Sequence, residues 1–244
     1  MASRVATVDV RSALALACLL SPATAGAQIR GLAFAGDVAL AEHRVVDRSV
    51  GGGVEISTGT LLGAGVRISV GSRWTIGAAG RTGVLHPDSG ATLPRDVAEL
   101  GLDGAFRMRD WFDVVGGVRV RSYTTAVARQ RWTAPYVGAA GRVPFAVRGL
   151  QGLLDLTLHP FASVSGLTRP EFAISGGAAV AYSRGRFDVQ LRYAVERYDF
   201  ARGTAAERSE QFSALTLRVQ ARVRSGGGAG VPKTTTAPPG GAAP

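Results

Sequence analysis

Cysteine is almost missing from this 244-residue chain: Cys18 is the only one. It sits inside the apolar run at residues 12 to 20, which reads as part of a leader. Arg4 and Arg11 flank a short basic start, and Ala25-Gly26-Ala27 supplies the small-x-small pattern for cleavage before Gln28. Residues 1 to 27 are therefore expected to be a signal peptide. Without them the chain has no thiol, which excludes a disulfide scaffold and thiol chemistry. Losing Arg4, Arg11 and Asp9 takes the formal charge from +10 to about +9.

Other absences narrow the field further. No later run of about 20 apolar residues exists, so membrane helices are not expected. The three histidines, His43, His86 and His159, have no metal-site spacing. The glycines at residues 51 to 53 neither follow a clear strand nor open a helix, so they read as loop rather than phosphate cradle. Neither cofactor nor metal is expected. The excess positive charge could suit nucleic acid, lipid or polysaccharide. Its arginines alternate with aliphatic residues instead of forming a patch, which argues against nucleic acid.

What the chain has is apolar–polar alternation with period two, the mark of strands with two distinct faces. In residues 96 to 109, Ala98, Leu100, Leu102, Gly104, Phe106 and Met108 share one face. Glu99, Asp103, Arg107 and Arg109 share the other. In residues 186 to 200, Phe187, Val189, Leu191, Tyr193 and Val195 oppose Asp188, Gln190, Arg192 and Glu196. In residues 212 to 224, Leu215, Leu217, Val219, Ala221 and Val223 oppose Thr216, Arg218, Gln220, Arg222 and Arg224. In residues 147 to 160, Leu150, Leu154, Leu156 and Leu158 oppose Gln151, Asp155, Thr157 and His159.

Weaker alternation marks residues 33 to 45, 60 to 70, 74 to 85, 113 to 124, 131 to 143 and 171 to 183. The first of these carries Asp37 and Arg44; the fourth sets Val114, Val118 and Val120 against Asp113, Arg119, Arg121 and Tyr123. Ten strands result, most near the roughly 9 to 11 residues that cross a bilayer at a tilt. Short connections near 71 to 73, 110 to 112, 144 to 146 and 184 to 186 alternate with longer ones near 46 to 58, 86 to 95, 125 to 130, 161 to 170 and 200 to 210. That is the pattern of periplasmic turns and external loops, and an even strand number puts both termini in the periplasm.

Aromatic residues fall near strand ends. Trp74, Trp111, Phe112, Phe145 and Phe187 lie at the short turns; Trp132, Phe161, Tyr198, Phe200 and Phe212 lie at the long loops. Two interfacial girdles are expected from this. Residues 225 to 244 are rich in glycine, proline and threonine and are expected to be a disordered tail.

The expected fold is all-β: a closed, antiparallel, up-and-down transmembrane β-barrel of about ten strands over residues 28 to 224. Closure is required because lipid cannot satisfy the edge amides of an open sheet. A soluble barrel or sandwich would show the same alternation turned inside out. Small residues such as Gly77, Gly117, Gly152 and Ala179 recur where a soluble core would need bulk. The lumen should hold Glu99, Asp103, Arg107, Arg119, Arg121, Asp155, Asp188, Arg192, Glu196, Arg218 and Arg222. Both signs are present, so these groups can pair and shut the interior, or line a thin anion-favouring path.

The leader, the repeated strands and the turn–loop alternation resemble the small bacterial outer-membrane β-barrel proteins, the porin-like class with OmpA-, OmpX- and OmpW-like barrels. The chain is also similar to uncharacterised barrels of that class with a segment like residues 95 to 125 followed by Gln130-Arg131-Trp132. It departs from the class where its last strand ends, at Ala221-Arg222-Val223-Arg224 rather than on an aromatic residue. The resemblance implies an outer-membrane location with long loops outside, contact with membrane lipid and lipopolysaccharide, and handling by the barrel-assembly machinery. A closed structural or surface-interaction barrel is the first functional expectation, and a narrow pore for small solutes is the alternative. A lipid hydrolase built on His159, Ser163, Ser165 and Asp155 is a third reading. No enzyme activity is expected.

Overall fold

A computed structural model of the chain describes residues 29–49, 51–88 and 93–223. The expected leader at 1 to 27 and tail at 225 to 244 lie outside the described residues. The strands are β1 Ile29–Asp47, β2 Val54–Val70, β3 Trp74–Pro87, β4 Arg95–Arg109, β5 Phe112–Thr124, β6 Arg129–Pro144, β7 Leu150–Leu158, β8 Ser163–Val164, β9 Phe172–Arg184, β10 Phe187–Phe200 and β11 Arg208–Val223. Ten are long; β8 is a two-residue patch. Among the described residues no helix is long and apolar enough to cross a membrane.

Each long strand pairs antiparallel with the neighbouring long strands in sequence, and β1 pairs with β11 to close the ring. The result is a closed ten-stranded up-and-down barrel, as the alternation implies. It leaves no free edge for most of its height.

The register carries one face through the whole ring. Arg218, Asp37, Gly63, Arg81, Glu99 and Arg121 are successive partners across β11, β1, β2, β3, β4 and β5. Because side chains alternate, every second residue from this row points inward. The opposite set points out and stays exposed: Phe34, Leu62, Leu100, Leu154, Leu191 and Leu217 are outward members from six strands. None of the described residues covers this apolar belt, and an exposed aliphatic outer face is that of a transmembrane β-barrel.

Several strands outrun their alternation. β2 begins at Val54 and β11 at Arg208, so two of the expected long loops shrink to residues 48–53 and 201–207. Hydrogen-bond pairing continues past the apolar belt, and nothing there requires one face to be apolar. The 145–149 turn is longer than expected and delays β7 to Leu150. Gly149 sits there at φ +85°, where its carbonyl accepts from the Ser183 amide at 2.9 Å. The loop-length rule is not strict either: the β5–β6 connection, residues 125–128, is shorter than this turn at the opposite end. The tight turn after β9 places Gly185, at φ +62°, first of two central residues.

The 159–171 connection folds back on the barrel. There β8 pairs with Trp132 and Thr133 of β6, above the point where β7 ends. It covers an otherwise bare stretch of β6 edge and packs Ala162 and Val164 into the interior.

Candidate functional site

All eleven charged residues expected in the lumen lie on its inward-facing rows. They are not arranged as a single pore lining. The lumen has two halves of different chemistry.

The half toward the long loops is solid. Ala39, His43, Leu61, Leu85, Val97, Tyr123, Trp132, Ala173, Tyr198 and Phe212 point inward there, and each is almost wholly buried. These side chains come from nine of the ten long strands, and His159, one residue beyond the end of β7, completes the ring. Trp132 packs on Tyr198 at 4.7 Å and on Phe200 at 6.0 Å between ring centres. His43 of β1 stacks on Tyr123 of β5, rings 4.6 Å apart and nearly parallel. A polar network threads this half: His43 Nε2 lies 3.1 Å from Glu210, and Arg95 approaches His43 Nδ1 at 3.1 Å while pairing with Glu55.

This corrects the expected second girdle. Trp132, Tyr198, Phe200 and Phe212 face the lumen, and only Phe161 of that group is strongly exposed. Tyr198 and Phe200 share the inward parity of Glu196, Phe212 shares that of Arg218, and Trp132 is the register partner of Arg121, so alternation and register dictate where they point. The girdle at the short turns is present: Trp74, Trp111, Phe145 and Phe187 are exposed there, while Phe112 is half-buried.

Below the aromatic layer lies a tier of crossed charges. Arg119 and Arg121 of β5 reach across the lumen to Glu196 of β10; the Arg121–Glu196 contact is 3.0 Å. Arg121 also donates through Nε to Glu99 at 2.7 Å, and Arg119 lies 3.8 Å from Glu99. Arg121, Glu99 and Glu196 are buried or nearly so, Arg119 is partly exposed to the cavity, and each carboxylate meets two guanidinium groups. That arrangement offsets the cost of removing the charges from water.

Under this tier the lumen opens into a cavity of about 530 Å³. It extends to Ser69, Thr75 and Asp113 near the short turns and ends beneath Phe212 and Ala214. Its wall pairs Arg192 with Asp155, Arg142 with Asp113, and Arg67 with Asp103 at 3.6 Å. Asp37 accepts from Arg81 at 2.8 Å. Arg107 lies 3.8 Å from Asp113, and Asp188 pairs with Arg222 at the mouth. Arg218 has no hydrogen-bond or ion-pair partner among the described residues, and its Nε is buried.

Luminal glycines make room for these crossings. A Cβ on Gly63 would stand 2.5 Å from Asp37, and one on Gly77 would stand 2.6 Å from Asp103. Gly117 lies against the Leu102 carbonyl and the Tyr136 hydroxyl. The sequence reading noted the small residues but not this use. Asp37, Arg67, Arg81, Asp113 and Arg142 also face the lumen; alternation within their own strands places Arg67 opposite Leu62 and Val66, Arg81 opposite Trp74 and Ile76, and Asp113 on the face of Arg119. Arg142 lies in a stretch too rich in glycine and alanine to show its phase.

The hydrolase arrangement does not form. His159 Nε2 meets Ser175 Oγ at 3.0 Å, and Ser175 meets Thr157 Oγ1 at 2.5 Å. Ser165 instead accepts from the Arg131 amide, and Asp155 is held by Arg192. No carboxylate backs His159, whose Nδ1 is buried without a partner. Among the described residues no group of three or more His, Cys, Asp or Glu side chains is placed to hold a metal ion.

No protein-family model matches the sequence, and no curated protein matches it. Solved structures do. The outer membrane protease OmpT from Escherichia coli superposes with a TM-score of 0.58 at 11% identity, covering 82% of this chain and 99% of that one. The translocator domain of the autotransporter NalP from Neisseria meningitidis aligns at 0.44 and 12% identity, over 88% and 95%. Neisserial surface protein A aligns at 0.37 and 11% identity, over 78% and 96%. At such identities the OmpT likeness speaks for the fold alone: the chain has the architecture of the small outer-membrane β-barrels.

Proposed function

We propose that this protein is a closed outer-membrane barrel with a structural or surface-interaction role, and not a diffusion pore or an enzyme. The observation that carries the reading is the buried layer to which nine of the ten long strands contribute, from Ala39 and Leu85 to Trp132 and Phe212, with His159 just beyond the end of β7. A pore would need a continuous water-filled path, and this layer is mostly apolar and aromatic, with His43, Glu210, Arg95 and Glu55 tied to one another. The apolar belt and the single aromatic girdle fit insertion with the short turns and both termini in the periplasm and the long loops outside. In that setting the partners are membrane lipid, lipopolysaccharide and the assembly machinery.

The narrow-pore reading draws on one feature, the arginine-rich cavity below the layer. The deciding experiment is planar-bilayer conductance of the refolded full chain. The closed reading expects no channel steps over a wide range of voltage and salt. Regular steps in the wild-type protein would overturn it.

A further inference from the structure

We propose that the cavity at the short-turn end of the lumen is a binding site for a phosphate-class oxyanion, seated between Arg218 and Arg67. The proposal rests on the closed reading above, because a blocked outer half makes the cavity a dead-end pocket rather than part of a channel.

The chemistry follows from what is left unpaired. Arginines outnumber carboxylates in the cavity lining, eight to five. Most of the carboxylates are already engaged: Glu99 and Glu196 by the crossed tier, Asp155 by Arg192, Asp113 by Arg142. Asp37, beside Arg218 in register, points its Oδ1 at Arg81. Arg218 keeps a buried Nε with no acceptor. Arg67 also keeps a buried Nε with no acceptor, and its one ion pair, to Asp103, is long at 3.6 Å. Arg67 and Arg81 act on Arg218 as like charges, and Asp37 and Asp103 offset them from a distance without a hydrogen bond to it.

Undersatisfied guanidinium groups facing one another in a barrel wall are costly without an anion between them. A phosphate group presents several acceptor oxygens and suits the planar fork of arginine. The volume, about 530 Å³, is in the range of small-molecule pockets. Entry is from the short-turn end, where Arg107 and Arg222 are each about half exposed and extend the positive field to the mouth.

The test uses the refolded full chain in non-ionic detergent, titrated calorimetrically at low salt with inorganic pyrophosphate and, separately, with a short-chain phosphatidic acid below its micelle concentration. Saturable binding of either is expected, and it should weaken about tenfold in Arg218→Gln and again in Arg67→Gln. Arg197→Gln, an equal loss of charge on the outward face, should leave it unchanged. Binding of pyrophosphate identifies a free solute as the source. Binding of the phosphatidic acid alone identifies a lipid head group. Heat-modifiable gel mobility confirms that each variant is folded, and Arg67, which is more exposed than Arg218, provides the second variant if Arg218→Gln fails to fold. No binding of either probe by the folded wild type, or binding by the folded arginine variants as tight as that of the wild type, overturns the proposal. Conductance is measured independently, so an open channel would strike the closed reading, while a closed barrel without binding would strike only this one.

Discussion

The guanidinium carbon of Arg121 lies 3.7 Å from the centre of the Phe212 ring. The two residues come from strands on opposite sides of the barrel, β5 and β11, and they meet where the charged tier ends and the aromatic layer begins. The contact joins the two layers: the ring caps a cation that is itself held by Glu99 and Glu196.

Removing that cap should loosen the closed half. Phe212→Ala is expected to cost about 3–5 kcal/mol of stability, because the surrounding strands are hydrogen-bonded into a ring and cannot collapse into the gap. Urea unfolding in detergent measures the loss. The same variant should show small conductance events absent from the wild type. An unchanged unfolding midpoint would mean that the layer is not packed as described.

The crossed charges should act as a unit. Arg121→Met leaves Glu99 and Glu196 buried with Arg119 as their common partner, and is expected to cost about 3–5 kcal/mol. Adding Glu99→Gln to it should cost less than the sum of the two single changes, since each alone strands a charge that the other change removes. Strict additivity in the unfolding titrations would count against the network.

The lipid-facing belt has a sharper test. Leu217 lies at mid-strand and points outward, between Val38 and Leu191 in register. Leu217→Arg should lower stability in phospholipid vesicles by about 2–4 kcal/mol. Arg222→Gln, which breaks a half-exposed pair at the mouth, should change it by less than about 1 kcal/mol. If Leu217→Arg is harmless and the chain stays soluble without detergent, the outward face does not meet lipid.

Glycine position should matter by face. A Cβ at Gly117 would stand 2.2 Å from the Leu102 carbonyl and 2.7 Å from the Tyr136 hydroxyl, whereas one at Gly36 meets nothing within 4 Å. Gly117→Ala is expected to cost about 1–3 kcal/mol, and Gly36→Ala to be neutral or slightly stabilising. Parallel unfolding curves of the two variants check the difference.

Much of this was legible in the chain because period-two alternation is local information. The face of Glu99, Arg192 or Arg218 follows from its immediate neighbours, and one phase error would have sent a charge into lipid. The same rule placed Tyr123 inward. Applied to Tyr198, Phe200 and Phe212 it would have placed them inward too, whereas Trp132 takes its direction from its register with Arg121. Their nearness to strand ends suggested an interfacial role instead, and parity overrules position. Strand ends were less legible, since β2 and β11 continue past the apolar belt, where pairing persists without any need for alternation.

The sequence by itself determined the strand pattern, the apolar outer face and the mixed charge of the lumen, because each rests on residues two apart in one strand. Only the tertiary structure decided that the outer half is filled, that Arg119 and Arg121 reach Glu196, and that Arg218 has no hydrogen-bonded carboxylate among the described residues. Those facts depend on closure and stagger, which set opposite strands at one height across the lumen. Contacts between residues so far apart in sequence leave no periodic trace in the chain.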